Sequence, residues 1–358
     1  MNMAVVNNPR LFGINNSNRN FTNPDTWGKN QFNSSFPASL VAYMYHKEIP
    51  LVYLKTDENN KVIHSLITGK QLFGISPLDN DAFYSFESVY SQYQPFYIGN
   101  APRIDLVIQS KQTGLCLKGL EIKLTALPDN STCDLSEDEF SCEIVIRPDT
   151  ISYLACSVAT EYPTIADRAI LKSILGDFSD IHDWEDPAEV IPQFDKCIKA
   201  VKRLIIANKD KQTPLILQPI WKTKGKAPIL DDHCLDTFVW SNMAAIHLFT
   251  SFDINGIRRI GRTERTLIWL IKMLLDYADN GQFDAEGIID KLSYNTKNDK
   301  AFSVNGRITY PLLKCNELKS PRVLKSDIKN IILGGGQNLL SPERRFDAII
   351  FNSPDLFV

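Results

Sequence analysis

The chain is 358 residues long, 44% hydrophobic and 23% charged, with a formal net charge of −3. That balance excludes wholesale disorder, and the length suits one large domain with elaborations or two coupled ones. A membrane span needs roughly 20 apolar residues, and the apolar run 267–275 is broken by Lys272. The first dozen residues carry no apolar stretch long enough for a secretory signal. Seven cysteines form an odd set without a CxxC pair, and five histidines form neither HExxH nor HxxxH. A disulfide framework and a zinc ribbon are therefore not expected, and a reducing, cytoplasmic setting is. Any metal chemistry would rest on oxygen ligands and a hard ion such as magnesium.

In chain order, residues 1–30 read as a loose Asn-rich arm. The Phe36-Pro37 step opens a predicted helix over 36–44, with proline in its first turn. Two strands, 51–56 and 62–66, flank a polar turn and predict a hairpin. Residues 76–92 read as an aromatic-rich helix carrying Glu87, entered through Ser-Pro-Leu-Asp-Asn-Asp. Strands are predicted at 103–109, 115–125 and 141–147, the first two joined by a Ser-Lys-Gln-Thr-Gly turn. The pattern then turns helical near 150–174, 187–208, 235–250, 262–280 and 284–292. Apolar strands are expected at 215–221 and 346–351, with a Gly-Gly-Gly loop at 334–336. The economical architecture is an α/β body with helices around a mixed sheet. The region beyond about residue 210 is a candidate subdomain.

Charge is unevenly spread. Residues 129–195 hold sixteen acidic and three basic side chains, whereas 196–226 hold nine basic ones against Asp210. The basic stretch, which includes Lys222 and Lys224, suits an anionic ligand; equally, its lysines suit pairing with the acidic block. A second basic stretch, 255–265, places Arg258, Arg259 and Arg262 with two glycines before an apolar helix. Backbone amides and guanidinium forks at a helix entrance make a natural phosphate site. The alternative is a loop whose arginines cap neighbouring acids.

The chemistry concentrates in 103–125. Strand alternation puts Ile104, Leu106 and Ile108 on one face and Asp105 with Val107 on the other, while Glu121 and Lys123 share a face of the next strand. A hairpin can thus bring two carboxylates and an ammonium together at the end of an apolar sheet. A cation between the acids would relieve their repulsion, and magnesium typically takes one or two carboxylates while keeping several waters. Such a site suits phosphodiester hydrolysis, with Lys123 positioning or helping to deprotonate water. Spacing alone favours Lys123 as a structural ion-pair partner of Glu121.

Asp105 followed by Glu-Ile-Lys at 121–123 resembles the PD-(D/E)XK nuclease signature, with Ile-Asp where Pro-Asp is usual. The longer strings Glu-Ile-Lys-Leu-Thr-Ala-Leu-Pro-Asp-Asn-Ser-Thr at 121–132 and Glu-Ile-Val-Ile-Arg-Pro-Asp-Thr-Ile at 143–151 resemble the HindVP-type family of type II restriction endonucleases. Further similar segments lie at 33–40, 218–226 and 340–348, so the resemblance runs through most of the chain. It implies a PD-(D/E)XK restriction-endonuclease-like core with helical elaborations. It also implies magnesium-dependent cleavage of both strands of duplex DNA, generally by a homodimer, and a functional partnership with a cognate DNA methyltransferase in a prokaryote. The family is associated with a GRCGYC-like palindrome.

Carried over to this chain, Asp105 and Glu121 would ligate metal, Ile122 would offer its backbone carbonyl, and Lys123 would serve the water. Glu87 is a possible auxiliary acid, with a surface position as its alternative. On this reading 31–210 is the nuclease core, with its catalytic hairpin at 103–125. The region 211–358 then serves DNA recognition or dimerisation, packed on the core. Two other classes remain: a repair-type nuclease of the same superfamily without strict sequence specificity, and a non-catalytic DNA-binding protein.

Overall fold

A computed structural model describes residues 16–18, 29–56, 62–121, 143–146, 148–208, 262–292, 302–305 and 326. The chain enters through helix α1 (Lys29–His46), longer than the 36–44 expected and containing Pro37. Strands β1 (Leu51–Thr56) and β2 (Val62–Ile67) form the predicted antiparallel hairpin. A short helix α2 (Gly69–Phe73) follows, closed at its start by a Thr68–Gln71 capping box. Next comes β3 (Ala82–Val89), where a helix was expected. The reason is visible in its burial. Ala82, Tyr84 and Phe86 alternate into the core, a period of two that aromatic residues satisfy on a pleated surface. The Asp-Asn-Asp entry is instead a turn, in which the Asp79 carboxylate accepts the Asp81 N–H at 2.9 Å.

Strand β4 (Arg103–Ser110) lies at the centre of an antiparallel three-stranded sheet, between β3 and β5 (Cys116–Leu120). Asp81, at the mouth of β3, fastens the turn between β4 and β5. Its carboxylate accepts from Ser110 Oγ at 2.8 Å and from the Gln112 N–H at 2.7 Å. Both faces of this sheet are covered. On one, the Phe73 ring of α2 meets Tyr84 edge-on. On the other, the 3₁₀ turn Ser91–Phe96 connects through Tyr93 to Ser157 of helix α3 (Pro148–Ala159). Strand β6 (Glu143–Ile146) pairs with β7 (Phe302–Asn305). The ladders among the described residues are antiparallel, and parallel pairing there is limited to isolated bridges.

The expected 150–174 helix is two helices, α3 and α4 (Ile165–Leu175). Pro163 cannot continue the first, and Thr164 starts the second through a capping box with Asp167. The 187–208 stretch divides likewise, into α5 (Pro187–Val190), a 3₁₀ turn holding Pro192, and α6 (Phe194–Ala207). Helix α7 (Arg262–Asn280) lies against α3, α4 and α6 and buries Leu267, Ile268, Leu270, Ile271, Met273 and Leu274. So wide an apolar surface marks a helix buried on most sides. Its Tyr277 hydroxyl donates to the Tyr162 carbonyl at 2.8 Å, and α8 (Ala285–Leu292) closes the layer. The expected elements at 215–221, 235–250, 334–336 and 346–351 lie outside the described residues. Among the described residues no helix is long and apolar enough to cross a membrane.

Residues 16–18 of the Asn-rich arm dock on the sheet. Tyr84 N–H donates to the Asn16 carbonyl at 3.0 Å and Asn18 N–H to the Tyr84 carbonyl at 3.2 Å, so 16–18 run along the open edge of β3. That edge would otherwise present unpaired backbone groups.

Candidate active site

The ladder between β4 and β5 decides which side chains meet. Gln109 pairs with Cys116, but Ile108 pairs with Lys118, so Leu117 is left over as a bulge. Beyond it Val107 faces Gly119 and Leu106 faces Leu120. Continued by one residue, this register sets Asp105 opposite Glu121, which directly follows β5. Directly opposed residues in an antiparallel pair have Cβ atoms about 4.5–5.5 Å apart and share a face. Without the bulge the same chain would oppose Asp105 to Leu120 and Glu121 to Ile104, sending the second carboxylate to the core face. Asp105 is half-buried between the buried Ile104 and Leu106, and Glu121 is only 6% exposed.

A third acid lies one strand away. On the other side of β4, Phe86 pairs with Leu106 and Ser88 with Ile104, which leaves Glu87 across from Asp105. Glu87 is in the left-handed region, at φ 48°. For an L-residue other than Gly, Asn or Asp this costs roughly 1–2 kcal/mol, so the surrounding structure holds it there. Expected on a helix, Glu87 thus belongs to the strand beside the central acid. Among the described residues, no three His, Cys, Asp or Glu side chains converge closely enough to hold a metal.

The sheet face bearing the acids is roofed by Tyr90. A Cβ added to Gly119 would come within 2.7 Å of the Tyr90 ring, so the ring lies flush on the strand two residues before Glu121. The Tyr90 hydroxyl bonds Gln92 Oε1 at 2.6 Å, and its ring meets Tyr93 edge-on at 4.8 Å. Burial, with a smaller contribution from nearby Cys116, pushes this phenol up to about 12, so it stays neutral at ordinary pH. Lys118 occupies the opposite, apolar side of β5, across from Ile108, where burial lowers its ammonium pKa. Neither Tyr90 nor Gly119 stood out in the sequence, because only the tertiary contact gives them meaning.

Lys123 and Ile122 lie outside the described residues, as do Lys222, Lys224, Arg258 and Arg259. Arg262 is the first residue of α7. Three of the four basic side chains of α6 are engaged within the fold. Lys196 pairs with Asp180 at 3.6 Å, Lys199 pairs with Asp195, and Arg203 donates to the Ile174 and Leu175 carbonyls that end α4. Two of these lysines thus pair with the acidic block, as the alternative reading of the stretch has it.

The donor set at 105 and 121 is all oxygen, which suits a hard divalent cation with its coordination completed by water or main-chain carbonyls. The register continued to residue 121 would set these two carboxylates against one another, and a cation between them would relieve their repulsion.

The family model described as HindVP restriction endonuclease matches residues 27–357. "Type II restriction enzyme HgiDI" of Herpetosiphon aurantiacus is 43% identical over 353 residues, covering 98% of each chain. "Probable type II restriction enzyme HindVP" of Haemophilus influenzae is 46% identical, covering 98% of this chain and 95% of its own. No solved structure matches.

Proposed function

Because this chain belongs to the HindVP restriction endonuclease family and so is an enzyme that cuts DNA at defined sequences, we propose that it does so with magnesium at Asp105 and Glu121. The observation that supports this most directly is the β4–β5 register, which, continued one residue beyond Leu120, would oppose the two carboxylates at the end of a sheet covered on both faces. Bound there, magnesium would neutralise the non-bridging phosphate oxygens and make water a stronger nucleophile.

The chain's own residues supply the rest of the chemistry. Asp105 and Glu121 hold the site's negative charge in place, and Tyr90 packed on Gly119 excludes water from one side. Lys123 orients the attacking water and offsets charge that builds on the phosphate, while the Ile122 carbonyl offers a neutral donor. The water oxygen bonds to phosphorus, one ester P–O bond breaks, and the departing oxygen takes up a proton. Glu87, one strand away, acts as an auxiliary acid through water.

The same reading extends to a PD-(D/E)XK core over 31–210, with Lys222, Lys224, Arg258, Arg259 and Arg262 in the C-terminal region meeting DNA. It includes a homodimer matched to a palindrome of the GRCGYC kind, working in a prokaryotic cytoplasm beside a DNA methyltransferase that protects the host sites. The test is digestion of phage DNA with magnesium and then with chelator, with the fragment ends sequenced. Discrete fragments sharing one end sequence, lost on chelation, are expected. Asp105→Asn, Glu121→Gln and Lys123→Ala should each cut at least about 10²-fold more slowly while still binding duplex. Undiminished cutting by any of the three removes that residue from the site, and retained cutting by both carboxylate variants refutes the proposal.

A further inference from the structure

The amide of Asn18 spans both main-chain groups of Phe86: its Nδ2 donates to the Phe86 carbonyl at 3.0 Å, and its Oδ1 accepts the Phe86 N–H at 2.9 Å. It thus replaces a missing neighbour strand at the residue immediately before Glu87. On the far side of Glu87, Ser88 Oγ donates to the same Phe86 carbonyl at 3.0 Å and lies 2.6 Å from Ser85 Oγ. The left-handed turn at Glu87 is therefore gripped at both ends, once by the arm and once by the strand's own serines. Backbone bonds from Asn16 and Asn18 to Tyr84 set the arm's register, and Asn16 Nδ2 adds a bond to the Asn80 carbonyl at 3.0 Å.

Resting on the proposed site, we infer that Asn18 is a positioning residue. It fixes the left-handed conformation of Glu87, one strand from Asp105, and so tunes, through water held by Glu87, the affinity of the Asp105–Glu121 pair for its divalent ion. The arm residue touches the backbone of Phe86, so its influence on the ion passes through Glu87. Residues 16–18 also shield the edge of β3, but that role requires only their main-chain bonds. The amide side chain adds a link aimed at one point in the strand, the point where the backbone departs from extended geometry.

The experiment is a double-mutant cycle on the full chain with Asn18→Ala, Glu87→Gln and the pair. The readouts are manganese(II) binding without DNA, followed by electron paramagnetic resonance, and single-turnover cleavage against magnesium concentration. Asn18→Ala is expected to weaken manganese binding about 5-fold and to raise the half-saturating magnesium concentration to match, with KM for DNA unchanged. Glu87→Gln is expected to do the same, and the pair no more than either alone. Asn18→Asp, which keeps the acceptor for the Phe86 N–H, should fall between Ala and the native residue.

Effects of the two substitutions that multiply, or manganese binding untouched by Asn18→Ala, overturn the inference. If Asn18→Ala does not fold, Ser88→Ala releases the other grip, and the same two outcomes decide. Failure of the underlying site reading looks different, because Asp105→Asn and Glu121→Gln would then retain cutting. If those two abolish cutting while the cycle multiplies, the inference about Asn18 alone falls.

Discussion

Gly119→Ala probes the roof of the site directly. The added methyl would sit 2.7 Å from Tyr90 Cγ and Cδ1 and 3.1 Å from Cδ2, whereas carbon atoms in contact prefer about 3.5–4.0 Å. Something must yield by about 1 Å. The ring is poorly placed to do so, since its hydroxyl is bonded to Gln92, it meets Tyr93 in an edge-to-face contact, and Tyr93 is tied to Ser157 at 2.9 Å. Overpacking of this kind costs about 1–3 kcal/mol, readable as a lowered urea midpoint at unchanged slope. If β5 yields instead, Glu121 moves with it, and a 1 Å misplacement costs about 10²-fold in rate. Single-turnover cleavage at saturating magnesium measures that loss. Trimming the ring by Tyr90→Ala should make the second substitution nearly free, a coupling typical of neighbours. A stability loss under about 0.5 kcal/mol, well below the overpacking range, together with full cutting, would refute the packing argument.

The other expectations concern charge, capping and DNA contact. Lys118 has its pKa depressed by burial, so the unfolded chain binds the extra proton between the folded value and the ordinary 10.5. Its contribution to stability therefore rises with pH across that window, and Lys118→Met should flatten the wild-type rise in urea midpoint while stabilising the protein at neutral pH. An unchanged pH profile would contradict this. Thr164→Ala removes the α4 capping box and should cost about 0.5–2 kcal/mol in chemical denaturation, with no loss refuting the role of the cap. Replacing Arg258, Arg259 and Arg262 together should weaken duplex binding and shallow its salt dependence by close to one unit of slope per lost phosphate contact. Unaltered affinity and slope would take that loop off the DNA surface.

Much of the scaffold was legible from local pattern. The 51–67 hairpin, the strand 103–110 and the two helices after 262 follow from alternation, helical periodicity and turn residues that act over a few positions. The segment 76–92 was misread because aromatics suit a helix face and a pleated strand alike, and only the alternating burial of Tyr84 and Phe86 decides between them. Long helices were expected where Pro163, followed by the Thr164 cap, and Pro192 cut them short. The carboxylates at 105 and 121 stood out because charge in an apolar strand is conspicuous. That a hairpin can bring them together follows from alternation, but the register that would do so was not readable, since it depends on Leu117 being skipped. Asn18 carried no signal at all. Its partner is 68 positions away, and an asparagine in an asparagine-rich stretch looks like any other.

The skipped Leu117 gives the hairpin a reserve of slack. Losing one residue between Cys116 and Leu120 can be absorbed by straightening the bulge, after which every pair toward Asp105 is as before. Gaining one has no such outlet and would invert the strand's inside and outside. The tolerance to length change is therefore one-sided, and the register beyond the bulge rather than the interval along the chain governs whether these two positions oppose one another. A search for this signature by a fixed interval would pass over shorter hairpins that present the same pair of oxygens.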